Sequence, residues 1–346
     1  MIAALSVKVF RRANANGGPV ISFDITGTKH QEQVAFNHTI DAIRDEKPPP
    51  WRDASSLTSM GSDVPPTLSG FAQLWIAGTV FAIIAASPSS CEAQGKLDAR
   101  YTASLAGVPI GRGAWIIDVG DDQYTAAASG MTTGILSVFA SGKGSGASRG
   151  HVRAEGLSPT TYASSITTDN KTEEMRVVLT NGTVKDATIT PPTPFNPERL
   201  PLTDASKHGV IDPMSGVLML PPGSGNSLSP EACRRTIPMF DGRMRFDLHM
   251  SFRRMDTVRA VKGYQGPAVV CLVQFVPLAG YVPDRPAVKY LVAQRDIEVY
   301  LAPLMGTRIL IPFKLTVPTP LGQGVIEATQ FLTTPTPRLT ANSPTH

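Results

Sequence analysis

Residues 243–254 read RMRFDLHMSFRR, and this stretch decides the class of fold. A period of two runs through it, because arginine, aspartate, histidine and serine alternate with apolar side chains. Successive side chains of a β-strand point to opposite faces, so the pattern predicts a strand with one buried and one solvated face. Such strands are typical of antiparallel sheets. The apolar positions are Met244, Phe246, Leu248, Met250 and Phe252.

Short turn signals accompany strand-like runs upstream of this stretch. Asp241-Gly242 immediately precedes it, and Asn181-Gly182 separates residues 173–180 from residues 183–190. Both central residues of a tight hairpin turn need a positive φ, which Asn-Gly and Asp-Gly tolerate best. Both pairs therefore predict β-hairpins. The Gly- and Ser-rich segment 142–150 is interpreted instead as a solvated linker.

The composition agrees with a sheet protein. The 346 residues include 30 glycines and 30 prolines, and only 17% of them are charged. Strands joined by tight turns have such a composition, whereas long helices do not. Apolar residues make up 42% of the chain, which is enough for a hydrophobic core. The formal net charge of +4 is too small to indicate nucleic-acid binding.

Helix signals are few and short. Asp212 followed by proline predicts a helix start, with the aspartate as N-cap and the proline in the first turn. This helix is predicted over residues 214–220, where a pair of prolines ends it. Ser229-Pro230 predicts one more helical turn by the same argument. We therefore expect a mainly β fold with one or two short helices.

Residues 70–87 read GFAQLWIAGTVFAIIAAS and contain no charge. Small residues follow, with Cys91 and Ala93 at the spacing of a signal-cleavage site. This predicts a signal peptide over residues 70–93 and a periplasmic protein that is cleaved after Ala93. Two alternatives stay open: residues 70–87 as an uncleaved membrane anchor, and lipidation of Cys91. No Lys or Arg lies between Met60 and residue 70, although a signal peptide usually begins with positive charge.

Three further segments complete the predicted domain organisation. Residues 1–69 contain a run of three prolines and are predicted to be a poorly structured leader, with the true start at Met1 or at Met60. Residues 94–334 are predicted to form a single all-β domain. Residues 335–346 are predicted to be a disordered tail.

Cleavage after residue 93 leaves two of the three cysteines in the mature chain, Cys233 and Cys271. In an oxidising compartment such a pair predicts a disulfide bond, whereas in the cytosol it indicates two separate buried thiols. The export signal favours the disulfide.

Catalytic and metal-binding arrangements are not expected. There is no His-Glu-x-x-His motif, no Gly-x-Ser-x-Gly elbow of a hydrolase is expected, and residues 142–150 do not fit a phosphate-binding loop. The six histidines are isolated from one another and from the cysteines, which argues against a zinc site. Asp247 and His249 are interpreted as surface charges beside Arg245. We therefore expect no enzyme activity, no metal and no cofactor.

Three segments carry a resemblance to a known family. Residues 101–111 follow a Tyr-x-x-x-Leu-x-Gly-x-x-Ile-Gly pattern, residues 211–215 read Ile-Asp-Pro-Met-Ser, and a Lys-Gly-Tyr triplet precedes Cys271. In this order they resemble a bacterial exported family catalogued as domain of unknown function 3108, over residues 94–332. The resemblance implies a curved antiparallel sheet, or half-barrel, like that of periplasmic lipoprotein carriers, with a helix near its open side. It implies no catalytic residues.

Two functions of different class are consistent with these features. The first is a non-enzymatic periplasmic protein that binds a lipid or other hydrophobic ligand of the cell envelope on the apolar face of residues 244–252. The alternative is a structural or interaction protein that fills its own core and contacts other envelope proteins. A cavity wall and a core wall use the same apolar residues, so the sequence does not separate the two. Nucleic acid is an expected partner of neither.

Overall fold

The computed structural model of the protein describes residues 94–134, 142–169 and 171–335. The predicted leader and signal segment, residues 1–93, lie outside these ranges, as does the predicted tail beyond Pro335. No helix within the described ranges is long and apolar enough to cross a membrane.

Fourteen strands in the described residues form one sheet. Their bounds are β1 Gly95–Leu105, β2 Val108–Val119, β3 Gln123–Thr132, β4 Gly142–Arg153, β5 Gly156–Thr168, β6 Lys171–Thr180, β7 Thr183–Thr190, β8 Arg235–Phe240, β9 Arg245–Arg259, β10 Lys262–Gly263, β11 Gln265–Ala279, β12 Glu298–Pro303, β13 Leu310–Thr319 and β14 Gly322–Pro335. The order across the sheet is β7-β6-β5-β4-β3-β2-β1-β14-β13-β12-β11-β9-β8. All neighbours are antiparallel, except that β10 forms a two-residue parallel pair with β14. The sheet is not closed into a barrel, so the predicted mainly β fold with an open, curved antiparallel sheet is confirmed.

Both predicted hairpins are present. Asn181 and Gly182 join β6 to β7 with φ angles of 48° and 71°, as a tight turn of two left-handed residues requires. Asp241 opens the turn between β8 and β9, where its carboxylate accepts backbone N–H groups of Arg243 and Met244 at 2.9 and 2.7 Å. These local turns explain why β6 and β7, and likewise β8 and β9, are neighbours in the sheet.

The interpretation of residues 142–150 as a solvated linker is wrong. They form most of β4, which pairs with β3 on one side and β5 on the other. Gly146, Ala147 and Ser148 are buried. Small side chains hide the period-two pattern on which a strand prediction depends. The neighbouring strands nevertheless supply the backbone hydrogen bonds that hold the segment in the sheet.

The described helices are short. They are α1 Pro213–Gly216 and α2 Pro286–Ala293, with single 3₁₀ turns at Asp204–Lys207 and Pro230–Cys233. The helix predicted over 214–220 ends early because Met219 forms a β-bridge with Leu310. Backbone pairing with β13 therefore replaces a further helical turn.

Three clusters of buried apolar side chains pack against the sheet. The first contains Trp115, Phe313 and Phe331, the second lies around β8, β9 and β11, and a small third one includes Phe240. Strands β12 and β13 have buried residues on both faces. Leu301 and Leu310 belong to the second cluster, and Ala302 and Ile311 belong to the first. Curvature thus brings side chains of distant strands together on either side of these two.

Candidate functional site

The apolar face predicted from residues 243–254 is mostly covered by the protein itself. Phe246, Leu248 and Met250 are 5%, 4% and 7% exposed and pack in the second core cluster. Met244 is half-buried against the same cluster, and Phe252 is 36% exposed. Four of the five residues therefore have protein neighbours on the face predicted to meet a ligand. Ligand contact by any of the five stays a prediction.

A β-bulge ends the regular alternation of β9. Phe252 lies opposite Cys271 and Arg254 lies opposite Val270, so Arg253 is one extra residue in the ladder. One extra residue exchanges the faces to which the following side chains point. Even-numbered side chains before the bulge accordingly face the second cluster, whereas Val258 beyond it belongs to the first.

The predicted disulfide bond between Cys233 and Cys271 is confirmed. Their Cα atoms are 5.4 Å apart, and both residues are fully buried in the second core cluster. Cys233 ends a 3₁₀ turn, and Cys271 lies within β11. The bond therefore ties the segment that precedes β8 to an interior strand of the sheet.

A buried polar network surrounds the predicted helix cap, Asp212. Its Oδ1 accepts the backbone N–H groups of Met214 and Ser215 at 2.9 and 3.0 Å, as an N-cap does. Its Oδ2 accepts the hydroxyl groups of Ser215 and Ser148 at 2.6 and 3.0 Å. Tyr124 Oη lies 2.6 Å from Ser215 Oγ. The network thus joins α1 to β3 and β4.

Residues 146–150, Gly-Ala-Ser-Arg-Gly, match the Gly-x-Ser-x-Gly pattern of serine hydrolases. In those enzymes the serine lies on a sharp turn between a strand and a helix, where its Oγ is exposed. Here Ser148 lies within β4 and is 1% exposed. The match therefore does not form a nucleophile elbow.

The hydrogen bonds of the Asp212 network hold α1 against the sheet. Burial raises the pKa of Asp212 above the ordinary aspartate value, and hydrogen bonds from Ser215, Ser148 and the Met214 N–H act in the opposite direction. Burial also raises the pKa of Tyr124. Among the described residues, the hydrogen bonds of this network involve carboxylate, hydroxyl and backbone groups and no imidazole base. We interpret the network as the anchor of α1.

A small cavity lies beside this anchor. Its volume is about 50 Å³, and Trp115, Tyr162 and Met214 contribute to its wall. A cavity of that size has room for water but not for a lipid chain.

A larger, open groove of about 300 Å³ lies between β11 and α2. Its size is at the lower end of the range of small-molecule binding sites. The wall is mainly apolar, and Lys289 and Gln274 are its long polar side chains. The apolar part comes from three segments of chain: Val276 and Pro277, Tyr281 and Pro283, and Val288 and Val292.

One residue of the groove wall, Phe275, also contacts the predicted apolar face of β9. Phe275 lines the groove and is 3% exposed. Its ring centroid is 5.2 Å from that of Phe246 on β9. None of the eight residues of α2 is buried, although Leu291 contacts the second core cluster. The helix therefore covers this part of β11 without sealing it.

Basic side chains gather at the turn that leads from β11 into α2. Arg199 Nη1 donates a hydrogen bond to the carbonyl oxygen of Gly280 at 2.7 Å. Arg243 pairs with Glu173. Burial, followed by the charges of Arg243 and Arg285, lowers the pKa of Arg199, and Glu173 acts in the opposite direction. The guanidinium groups of Arg243 and Arg285 therefore both act on that of Arg199 at this end of the groove.

Metal-binding groups are not assembled in the part of the chain that the structure describes, where no cluster of three or more His, Cys, Asp or Glu side chains could hold an ion. Asp247 pairs with Arg245 and lies 4.0 Å from His249 Nε2. The three residues lie together on the polar side of β9, as the alternation predicts. The side chains of Arg245 and Asp247 are only 12% and 18% exposed, however, so the interpretation of Asp247 as a surface charge is wrong.

Comparison with known proteins gives a family but no activity. A family model described as "Protein of unknown function (DUF3108)" matches residues 100–329, which is more than half of the chain. The chain belongs to this family. No curated protein is significantly similar to it in sequence. A solved structure described as a beta-barrel-like protein of domain of unknown function DUF1849 from Brucella abortus is similar at 9% identity, with a TM-score of 0.41, over 70% of this chain and 98% of that one.

The segments that suggested the DUF3108 family lie at structural positions rather than at the groove. Tyr101 is buried and donates a hydrogen bond to the carbonyl oxygen of Pro312 at 2.8 Å. The Asp-Pro-Met-Ser segment carries the anchor of α1. Tyr264 contacts Phe331, with ring centroids 6.0 Å apart. The resemblance therefore predicted the fold from residues that stabilise it.

Sequence reasoning missed the groove because no single segment forms it. One local signal was available: proline after Arg285, followed by apolar residues at 288, 291 and 292, is typical of a short amphipathic helix. The contact of that helix with β11 depends on the tertiary fold.

Proposed function

We propose that this DUF3108 protein is a non-enzymatic binding protein of the cell envelope that holds an apolar chain in the groove between β11 and α2. The observation that carries the proposal is the groove itself, a mainly apolar, open space of about 300 Å³ beside the second core cluster. The sequence predicts lipid binding on the apolar face of β9, which is mostly buried. We propose the groove as the binding site instead; its wall residue Phe275 belongs to the same core cluster as that face.

The construction of the groove supports binding of a flexible apolar ligand. Its wall combines valine, proline and aromatic side chains with few polar groups, as small-molecule sites commonly do. Because α2 has no buried residue, small movements of this helix would change the width of the groove at little cost in core packing. Apolar chains of different thickness would then fit the same site.

The disulfide bond supports an exported location. Disulfides persist in oxidising compartments such as the periplasm and are rare in the cytosol. The bond between Cys233 and Cys271 agrees with the export signal predicted at residues 70–93.

A second candidate function is favoured by the burial of Phe246, Leu248 and Met250. A sheet whose apolar faces are filled by its own side chains suits a structural or interaction protein of the envelope. The two candidates differ in one measurable property, which is the binding of an apolar probe in the groove.

The test uses full-length protein expressed with its amino-terminal segment and the uncharged apolar dye N-phenyl-1-naphthylamine. We expect saturable binding, seen as increased dye fluorescence, with about one dye per protein. Val292→Glu should weaken it by about tenfold or more, because a charge in an apolar site must be desolvated when the dye binds. Val292 lines the groove and is 36% exposed, so the variant should fold.

Val108→Glu is the matched control. Val108 is 53% exposed at the start of β2 and does not line the groove. Dye binding by this variant should equal that of the unmodified protein. Absence of saturable binding in the unmodified protein, or equal binding by Val292→Glu, would contradict the proposed function and favour the structural one.

A further inference from the structure

The turn between β11 and α2 concentrates positive charge beside the apolar groove. Arg199 bonds to the carbonyl oxygen of Gly280, and its neighbour Leu200 exchanges backbone hydrogen bonds with Gly280 and Tyr281. Tyr281 also lines the groove. Arg199 is therefore held at Gly280, the residue that directly precedes Tyr281 of the groove wall.

The positive charge of this cluster is only partly compensated. Glu173 pairs with Arg243, and Asp284 pairs with Lys289 at 2.7 Å. Within the described ranges, Arg285 has no ion pair or side-chain hydrogen bond, and the bond of Arg199 is to a neutral carbonyl group. The guanidinium group of Arg285 thus lacks an acidic partner, and that of Arg199 has only the charge of Glu173 nearby, which already pairs with Arg243.

The amino-terminal end of α2 also favours an anionic ligand at this end of the groove. Arg285 is the N-cap residue of this eight-residue helix, and its side chain makes no capping hydrogen bond. The amino-terminal end of a helix carries partial positive charge and favours anions, so an arginine there is unfavourable unless an anion is near. Helix end and guanidinium groups consequently favour the same kind of ligand.

We propose that Arg199 and Arg285 bind the anionic group of an amphiphile whose apolar chain lies in the groove between β11 and α2. This inference rests on the proposed function and specifies the chemical class of its ligand: a phosphate or carboxylate joined to an alkyl chain. A guanidinium group suits both anions, because its planar N–H donors match the two oxygens of either.

The experiment compares ligands that share one alkyl chain and differ in the head group. Dodecyl phosphate, dodecanoate, dodecyl maltoside and dodecyltrimethylammonium are added below their micelle concentrations, and each displaces the uncharged naphthylamine dye from the full-length protein. We expect the phosphate and the carboxylate to bind about tenfold or more tightly than the maltoside, which is the size expected of charge-assisted hydrogen bonds. The trimethylammonium compound should bind most weakly.

Arg285→Gln tests the head-group contact without removing a structural bond. The variant should lose the preference for dodecyl phosphate over dodecyl maltoside, whereas its affinity for the uncharged dye tests that the groove is intact. Arg259→Gln is the control, because Arg259 is an exposed residue at the far end of β9. That control should keep the full preference.

Each contrary outcome has a separate meaning. Equal affinity for the anionic and uncharged amphiphiles would overturn the head-group proposal and leave the apolar groove as the site. Inorganic phosphate that binds as tightly as dodecyl phosphate would overturn it too, since the ligand would then be a free anion. Failure of every alkyl compound to displace the dye, or of the dye to bind, would instead overturn the proposed function.

Discussion

At the scale of single residues, the carboxylate of Asp212 accepts hydrogen bonds both from the backbone of α1 and from buried hydroxyl groups. It caps α1 through two backbone N–H groups and accepts two hydroxyl groups from Ser215 and Ser148. It is fully buried, and burial is the largest cause of its raised pKa. The sequence predicts the cap from Asp212 and the proline after it. The hydroxyl partner from β4 is 64 residues away along the chain, so only the tertiary structure identifies it.

Replacement of Asp212 by asparagine should give a pH-dependent loss of stability. The folded-state pKa is raised, so the contribution of the carboxyl group is complete below its ordinary value of about 3.9 and falls as pH rises through the raised value. At acidic pH the variant should be about 1–3 kcal/mol less stable, because the protonated carboxyl group has one donor and can still accept on both oxygens, whereas the amide nitrogen has two donors and accepts nothing. Urea unfolding of both proteins between acidic and neutral pH measures the difference, which should shrink as pH rises.

Asp204→Asn is the matched control for this prediction. Asp204 is exposed and pairs with Lys207 in a 3₁₀ turn, so its replacement should change the free energy of unfolding very little. A difference between the unmodified protein and Asp212→Asn that grows with rising pH would contradict the assigned direction of the pKa.

At the scale of secondary-structure elements, the disulfide bond joins a 3₁₀ turn to an interior strand. The bonded cysteines are separated by 38 positions. A cross-link over a loop of that length is expected to stabilise the protein by roughly 4 kcal/mol, through the entropy of the unfolded chain. That is a large fraction of the ~5–15 kcal/mol of a typical domain.

Replacement of both Cys233 and Cys271 by alanine should therefore lower the melting temperature by several degrees or more. Thermal unfolding by circular dichroism measures the change. The unmodified protein after treatment with reductant should behave in the same way. Two free thiols in the unmodified protein, purified from the periplasm without reductant, would show that the bond does not form.

Strand β4 and helix α2 show where element prediction failed. The clear alternation of residues 243–254 predicts β9, but β4 consists largely of glycine, alanine and serine, which carry no hydropathy period. Its buried position follows from the strands on either side. In α2 the apolar residues are present at helical spacing, yet the groove that they line exists only where the helix meets β11.

At the scale of the whole molecule, the order of strands makes β1 a central element. It lies between β2 and β14, so the first strand of the described residues pairs with the last one. All fourteen strands of the described residues lie between Gly95 and Pro335, and both neighbours of β1 are among them.

A protein that consists of residues 94–346 should accordingly fold by itself. Far-UV circular dichroism should show strand as the main structure, with cooperative thermal unfolding. A shorter protein, residues 106–346, lacks β1 and should not fold, because β2 and β14 lose their common neighbour. A helix-dominated spectrum of the longer protein, or cooperative unfolding of the shorter one, would contradict this account of the sheet.

The sequence by itself determined the local features of this protein: the β class, the two hairpin turns, the cap at Asp212 and the pair of cysteines. Each depends on neighbours a few residues apart, where steric limits on φ and alternation of side chains act directly. Only the tertiary structure decided that the apolar face of β9 is covered, that β4 is an interior strand and that α2 and β11 enclose a groove. These features arise because curvature of the sheet brings distant segments together, and the periodic pattern of a segment does not show which distant segment covers it.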